Sequence, residues 1–372
     1  MKILIAPNAF KESLPAVKIA DILQNHFYRL APQHRYLKFP ISDGGDGFVD
    51  VLAYHKGLAK SGFQTKLING SMGDIEYLYD KTEHILFVES ASVIGIKHIP
   101  APYRNVFNYD SYTLGACIMG LLNELKSASQ SPEKIVIGVG GTATIDLGLG
   151  ASAALSGLKF TNTVLNMDLS EAAQTIINQG VNPLQIELVL DVAVPLTGIG
   201  DMVSEFGAQK GVTPEQTLRL KSLIAELIDY LTRSGKKSHP DEALGAGGGL
   251  SIGFSLISPI KITHSSDFIW RDLNLQDSLP SADLVITSEG RLDQTSLLNK
   301  ATSVLVSKCR EFRKVLYVIC GSAEKSVRSE LERNGVRVFE LRDYFSGGVE
   351  ESIQKAEEGL QKCGDEIISA LK

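Results

Sequence analysis

The chain opens on a short apolar run, Lys2 to Ala6, stopped at once by Pro7 and Asn8. A run this short, without polar alternation, predicts a strand covered on both faces. Beyond it Ala16, Ala20, Leu23, Phe27 and Leu30 recur at steps of four and three, which is one stripe of a helix. Ser13 is placed to cap its first turn, and Pro15 sits close enough to the start to cost no internal hydrogen bond. Arg35 to Phe39 predicts a second strand, Ile41 to Gly47 a polar loop, and Phe48 to His55 a second helix. The last third repeats this grammar. A strand is expected from Asp283, then a loop Ser288 to Asp293, a helix near Ala301 to Phe312, a strand from Val315, a loop Gly321 to Lys325, a helix, and a strand from Val336. Helices alternating with short apolar strands predict a parallel sheet.

The middle of the chain reads differently. Gln64 to Asn69, Ile75 to Asp80 and Ile85 to Glu89 are separated by turn residues such as Ser71-Met72-Gly73, a spacing that predicts antiparallel hairpins. Lys134 to Val139 and Glu187 to Leu190 look like further strands. Thr213 heads a long helix, Pro214 to Thr232, with Leu220, Leu223, Leu227 and Leu231 along one side. The fold class is therefore α/β: one open parallel sheet built by both chain ends, with an inserted second α/β domain carrying a mixed sheet.

Composition narrows the function. Hydrophobic residues at 44% and charged residues at 22% exclude a disordered or fibrous chain. With 37 Lys and Arg against 43 Asp and Glu, the net charge of −6 offers no field for a nucleic acid backbone or an anionic membrane, so neither partner is expected. The four cysteines contain no Cys-x-x-Cys pair and read as buried thiols. No signal-like or membrane-length apolar run is present, which makes the cytoplasm the expected location. None of the seven histidines forms the i, i+4 pair of a helical zinc site.

In open parallel sheets ligands bind outside the carboxyl ends of the strands. Four predicted loops would deliver Lys11, Asp43, Asp46, Glu289, Arg291 and Asp293 to that rim, although a merely solvated loop face fits the same residues. Gly138 to Gly150 follows a strand and precedes a helical stretch, so its amides suit phosphate; tight turns and close packing explain its glycines equally well. There is no Walker sequence. The Gly138-x-Gly140-x-x-Ala143 spacing lacks the acidic residue that would hold a ribose, which disfavours a nicotinamide cofactor. Gly245 to Gly249 has no clear strand before it and fits a hinge. Scattered carboxylates suit magnesium, which takes one or two of them and otherwise keeps waters and phosphates.

Pro7-Asn8-Ala9-Phe10-Lys11-Glu12-Ser13-Leu14, the loops at Ile41 and Gly138, Asp191 to Asp201, Phe206 to Gly211, Gly245 to Leu250 and Ile286 to Lys300 occur in that order. Together they resemble the bacterial glycerate kinase family. The resemblance implies a flavodoxin-like domain at 1–65 and 281–372, a restriction-enzyme-like domain at 66–280, and phosphorylation of glycerate, commonly on the 2-hydroxyl, with ATP and Mg2+. It further implies catalytic roles for Asp43, Asp191, Glu289 and Asp293, with Asp43 and Asp191 at the metal. Lys11, Ser13, Gly44, Gly45, Arg291 and Lys300 would bind substrate. Gly140, Gly141, Thr142, Thr144, Gly247 and Gly248 would bind the nucleotide. A homodimer is compatible with this reading. The motifs depart from the usual family residues at Asn8, Ala9, Glu12, Phe48, Ile145, Leu147, Ser288 and Asn299, where Asn8 replaces an acid and Ser288 a glycine. Those departures motivate two alternatives: a kinase for a related hydroxy acid, and a weakened paralogue that binds nucleotide or hydroxy acid without turnover.

Overall fold

The computed structural model describes residues 1–10, 13–235, 244–297 and 300–371. Contacts divide it into two compact units, Met1–Gly57 with His264–Lys372, and Leu58–Thr263. The expected junctions at 65 and 281 therefore move to 57 and 264. The strand Ser61–Lys66 pairs antiparallel with Met72–Asp80 inside the inserted unit. On the other side, the Phe268 ring stacks 5.3 Å from Phe48 and Trp270 lies 5.4 Å from Phe312, fixing that stretch to the first unit.

In the first unit β1 (Lys2–Ile5) and β2 (Arg35–Lys38) run parallel, with Lys2 opposite Arg35 and Ile5 opposite Lys38. The inserted unit carries β3 (Ser61–Lys66), β4 (Met72–Asp80), β5 (Ile85–Glu89), β6 (Lys134–Gly138), β7 (Gln185–Leu190) and β8 (Ile260–His264). The chain then returns with β9 (Leu284–Leu292), β10 (Val315–Ala323) and β11 (Arg337–Glu340). The first sheet has the order β11-β10-β9-β1-β2 and every pair in it is parallel. This is the 2-1-3-4-5 order of a flavodoxin-like sheet once the insertion is skipped, and its strand order reverses between β1 and β9. Ile3, Ile5, Leu284, Ile286 and Ile319 pack with Ile19, Leu23, Phe27 and Ile367 of the flanking helices Ala16–Leu30 and Ala356–Ala370.

The second sheet has the order β3-β4-β5-β6-β7-β8. It is antiparallel through β3, β4 and β5 and parallel through β5, β6 and β7. Leu86, Val88, Ile135, Ile137 and Leu188 form a core with Leu114, Ile118 and Leu121 of the helix Tyr112–Ser127 and with Leu220, Ile224, Leu227 and Leu231 of Pro214–Arg233. Thr213 starts that last helix with a complete capping box to Gln216. All four cysteines are buried free thiols. Among the described residues no helix is long and apolar enough to cross a membrane.

Three local expectations are corrected. Ser13 does not cap the first helix: Pro15 holds the N-cap position and the Ser13 hydroxyl donates to the Ile353 carbonyl at 3.0 Å. The stretch 288–292, expected as loop, is strand, because β9 continues its ladder with β10 as far as Leu292 opposite Ala323. For the same reason Gly321 to Ala323 belongs to β10.

Candidate functional site

A parallel sheet sends all its strand exits to one edge, so in the first unit the segments after β1 and β2 and the far ends of β9 and β10 share a rim. Backbone bonds fix how they line up. The amides of Ala6 and Asn8 donate to the carbonyls of Ile286 and Ser288 at 2.7 and 3.2 Å, and Ile41 N–H donates to the Pro7 carbonyl at 2.9 Å. The exit of β1 thus runs between the ends of β9 and β2, at the strand-order reversal where such sheets bind ligands.

Side chains on this rim are buried and oriented. Asn8 is buried, and its Oδ1 accepts the Ala9 amide at 2.9 Å. The hydroxyls of Thr287 and Ser288 donate to the Ala6 and Asn8 carbonyls at 2.8 and 2.7 Å. After β2, Ser42 Oγ accepts Gly44 N–H and Asp43 Oδ1 accepts Gly45 N–H, both at 3.2 Å. The turn needs Gly44 at φ +94° and leads through Gly47 into the helix Phe48–Lys56. Asp43 is only 6% exposed, as is Glu289, whose Oε2 accepts the Thr302 hydroxyl at 3.0 Å. Burying a carboxylate is costly unless donors hold it. Asp43 and Glu289 therefore stand as placed acids.

The other expected residues of this unit lie differently. Arg291 is an exposed side chain paired with Glu324 at 3.0 Å. Asp293 is half-buried, and its amide donates to Ser296 Oγ at 3.2 Å. Lys300 caps the helix Ala301–Glu311, where its carbonyl accepts the Ser303 hydroxyl at 2.8 Å. Ser13 is spent on Ile353. Lys11 lies outside the described residues, as do Glu12 and Asn299.

In the second unit the loop after β6 is gripped along its length. Ile96 N–H donates to the Gly141 carbonyl at 2.9 Å, and Ala143 N–H donates to the Ile94 carbonyl at 2.8 Å. Gly141 turns the chain at φ +76°. Among the described residues, no acceptor is seen for the amides of Gly140, Gly141 and Thr142. Successive amides in such a turn form a concavity suited to an anion.

Thr144 is fully buried, and Gly248 backs onto it so closely that a Cβ there would stand 1.9 Å from the Thr144 carbonyl oxygen. A Cβ on Gly247 would meet Val139 at 2.9 Å. Thr144, Gly247 and Gly248, the residues expected to contact the nucleotide, are thus closely packed, Gly248 on Thr144 and Gly247 on Val139.

Sequence reasoning missed Lys210. It is buried at 6% exposure, with its ammonium 3.0 Å from the Thr144 carbonyl and 3.4 Å from the Thr142 hydroxyl. Burial pushes it down to about 8, against the opposing pull of the Asp191 and Asp146 carboxylates. Its signal was a lysine between two glycines in Phe206 to Gly211. Asp146 accepts from Ser111 N–H, Ser111 Oγ and Gly150 N–H at 3.0, 2.7 and 3.0 Å. Neighbouring Asp110 is pushed up to about 6 by burial first and by Asp146 second.

Asp43 and Asp191 belong to different units, and among the described residues no group of three or more His, Cys, Asp or Glu is placed to hold a metal. Magnesium needs no such cage. It takes one or two carboxylates with phosphate oxygens and waters, so the buried Asp43 fits as a single protein ligand.

Comparison with known proteins agrees with this architecture. The model of the glycerate kinase family matches residues 3–372. The chain is 29% identical to a glycerate kinase of Neisseria meningitidis serogroup B, covering 99% of this chain and 98% of that one. It is 26% identical to the glycerate 2-kinase of Escherichia coli, over 100% and 98% of the two chains. A solved structure assigned to glycerate kinase 2 of Salmonella typhimurium LT2 superposes with a TM-score of 0.70 at 25% identity, over 100% and 98% of the chains. With the family pattern spanning nearly its whole length, this chain belongs to the glycerate kinase family.

Proposed function

We propose that the chain transfers the γ-phosphoryl group of ATP to the 2-hydroxyl of glycerate. Family membership over residues 3–372 supports the kinase reading, and the glycerate 2-kinase among its relatives supports the choice of hydroxyl. The observation that carries it structurally is the acidic, glycine-turned rim at the reversal between β1 and β9, where Asp43 and Glu289 are both buried and held by donors.

Phosphoryl transfer asks for positioning and charge stabilisation more than for covalent chemistry. In this reading Asp43 holds Mg2+, which when bound neutralises charge on the ATP phosphates. Glu289, fixed by Thr302, orients the glycerate hydroxyl and takes its proton as the hydroxyl oxygen bonds to the γ-phosphorus and the bond to the departing ADP oxygen breaks. Arg291 supplies a cation for the glycerate carboxylate, since its surface pair with Glu324 contributes little and yields readily. Within the second unit taken by itself, the Gly140 to Thr142 amides suit a nucleotide phosphate oxygen. Asp191 serves through its charge beside Lys210, and Asp293 orders the end of β9.

An assay with D-glycerate, ATP and Mg2+, followed by identification of the product, tests the proposal. Formation of 2-phosphoglycerate supports it; 3-phosphoglycerate overturns the regiochemistry. Nucleotide binding by calorimetry without any phosphorylated product, from glycerate or from related hydroxy acids, overturns the enzyme reading.

A further inference from the structure

Lys210 stands at the end of a short turn, Ala208–Lys210, that follows the helix Met202–Phe206. Gly211 closes the turn at φ +81°, and a Cβ on it would lie 2.0 Å from the Arg104 carbonyl oxygen. The backbone is therefore pinned where it launches the lysine inward. Burying an ammonium costs several kcal/mol unless acceptors and opposite charges compensate it, whereas an apolar side chain of the same length would fill the space without that cost. A buried cation retained against that alternative calls for a use.

Its contacts name one. The ammonium donates to the Thr144 carbonyl at 3.0 Å and reaches the Thr142 hydroxyl at 3.4 Å. The other grips on this loop act elsewhere: Ile96 holds the Gly141 carbonyl and Ile94 receives the Ala143 amide. Among the described residues, Lys210 is the one that ties the Thr142 side chain and the peptide after Thr144 to one point. It also sets a positive charge, faced by Asp191 and Asp146, on the same loop as the Gly140 to Thr142 amides, for which no acceptor is seen among the described residues.

We propose that Lys210 is a positioning residue that presets the Gly140 to Thr142 amides for a nucleotide phosphate, acting through Thr142 and the Thr144 carbonyl without touching the nucleotide. The inference rests on the reading of that turn as the phosphate site.

The test compares wild type, K210M, K210Q and K210R with G141A, the last altering the turn itself at its positive-φ residue. Steady-state kinetics are run with ATP varied at saturating glycerate and the reverse. ADP affinity is measured by calorimetry, and thermal midpoints are recorded for every protein. The expected result for K210M is a KM for ATP and a Kd for ADP raised at least tenfold (about 1.4 kcal/mol in binding), with the KM for glycerate within twofold and partial recovery in K210R. K210M affinity for ATP and ADP within twofold of wild type overturns the proposal. So does an equal rise in both KM values with a lowered melting point, or failure of both K210M and K210Q to fold, since each assigns Lys210 to the fold alone. If G141A weakens ADP binding and K210M does not, only the role of Lys210 fails; if neither variant weakens it, the phosphate reading of the turn fails as well.

Discussion

The Ser288 hydroxyl donates to the Asn8 carbonyl at 2.7 Å, while the Asn8 amide donates to the Ser288 carbonyl at 3.2 Å. The two residues lie on either side of the strand-order reversal, and both are buried. A glycine at 288 would have no hydroxyl to offer, so the bond that closes this corner depends on the serine.

Replacing Ser288 by alanine removes the donor and leaves the Asn8 carbonyl short of a partner in a dry corner. The expected loss is about 1–2 kcal/mol in urea unfolding. Ser288→Gly should lose that amount plus about 0.5–1 kcal/mol from the freed backbone. A destabilisation below a few tenths of a kcal/mol in both would show that the corner is held by its ladder alone.

Asp43→Asn separates charge from shape. The amide oxygen still accepts the Gly45 N–H that shapes the turn, so the melting point should stay within a few degrees. The charge that would face Mg2+ is gone, and turnover should fall about 100-fold or more, the scale of losing one preorganised electrostatic group. Wild-type turnover in a folded Asp43→Asn enzyme removes this residue from the chemistry.

The sheet of the first unit was legible because each strand is a short aliphatic run and each intervening helix shows its stripe. The ends of β9 and β10 were not. Glu289, Gly290 and Arg291 look like loop residues, yet a strand flanked by ladders on the rim carries polar side chains freely, and the buried Glu289 accepts the Thr302 hydroxyl there. The junctions slipped for a related reason: Ser61 to Lys66 is mostly exposed and weakly patterned, and only its pairing with Met72–Asp80 assigns it. Asp43 and Glu289 were singled out by residue type and position near a strand's end, and both are buried on the rim. Lys210 was not singled out, since its partners Thr142 and Thr144 lie 68 and 66 positions earlier.

Two glycines of similar φ offer a contrast. Gly57 at +64° closes the helix Phe48–Lys56 with no atom within 4 Å of its missing Cβ, so Gly57→Ala should cost about 1–2 kcal/mol, the left-handed penalty alone. Gly248 at +73° carries the same penalty and in addition would drive its Cβ to 1.9 Å from the Thr144 carbonyl. Gly248→Ala should lose more than about 4 kcal/mol or shift the Gly140 to Asp146 loop, with weakened ADP binding in calorimetry. Equal effects in chemical denaturation of the two variants would contradict the close approach.

Asp110 gives the chain a pH dependence of definite sign. Its folded-state value of about 6 lies above the ordinary 3.8, raised by burial and then by Asp146, and lowered in part by the amides of Tyr112 and Val164. The folded chain thus binds this proton more tightly than the unfolded chain does. Its contribution is fully present below about pH 4 and is lost as pH rises through about 6. Asp110→Asn cannot ionise and should lack that loss, although it gives up an acceptor for one of the two amides. Melting curves from pH 4 to 8 should show the variant gaining on wild type across this window and holding a constant offset above it. The difference between the two curves reports Asp110 together with its coupling to Asp146. Parallel curves would mean that Asp110 stays ionised in the fold and that Asp146 does not press on it.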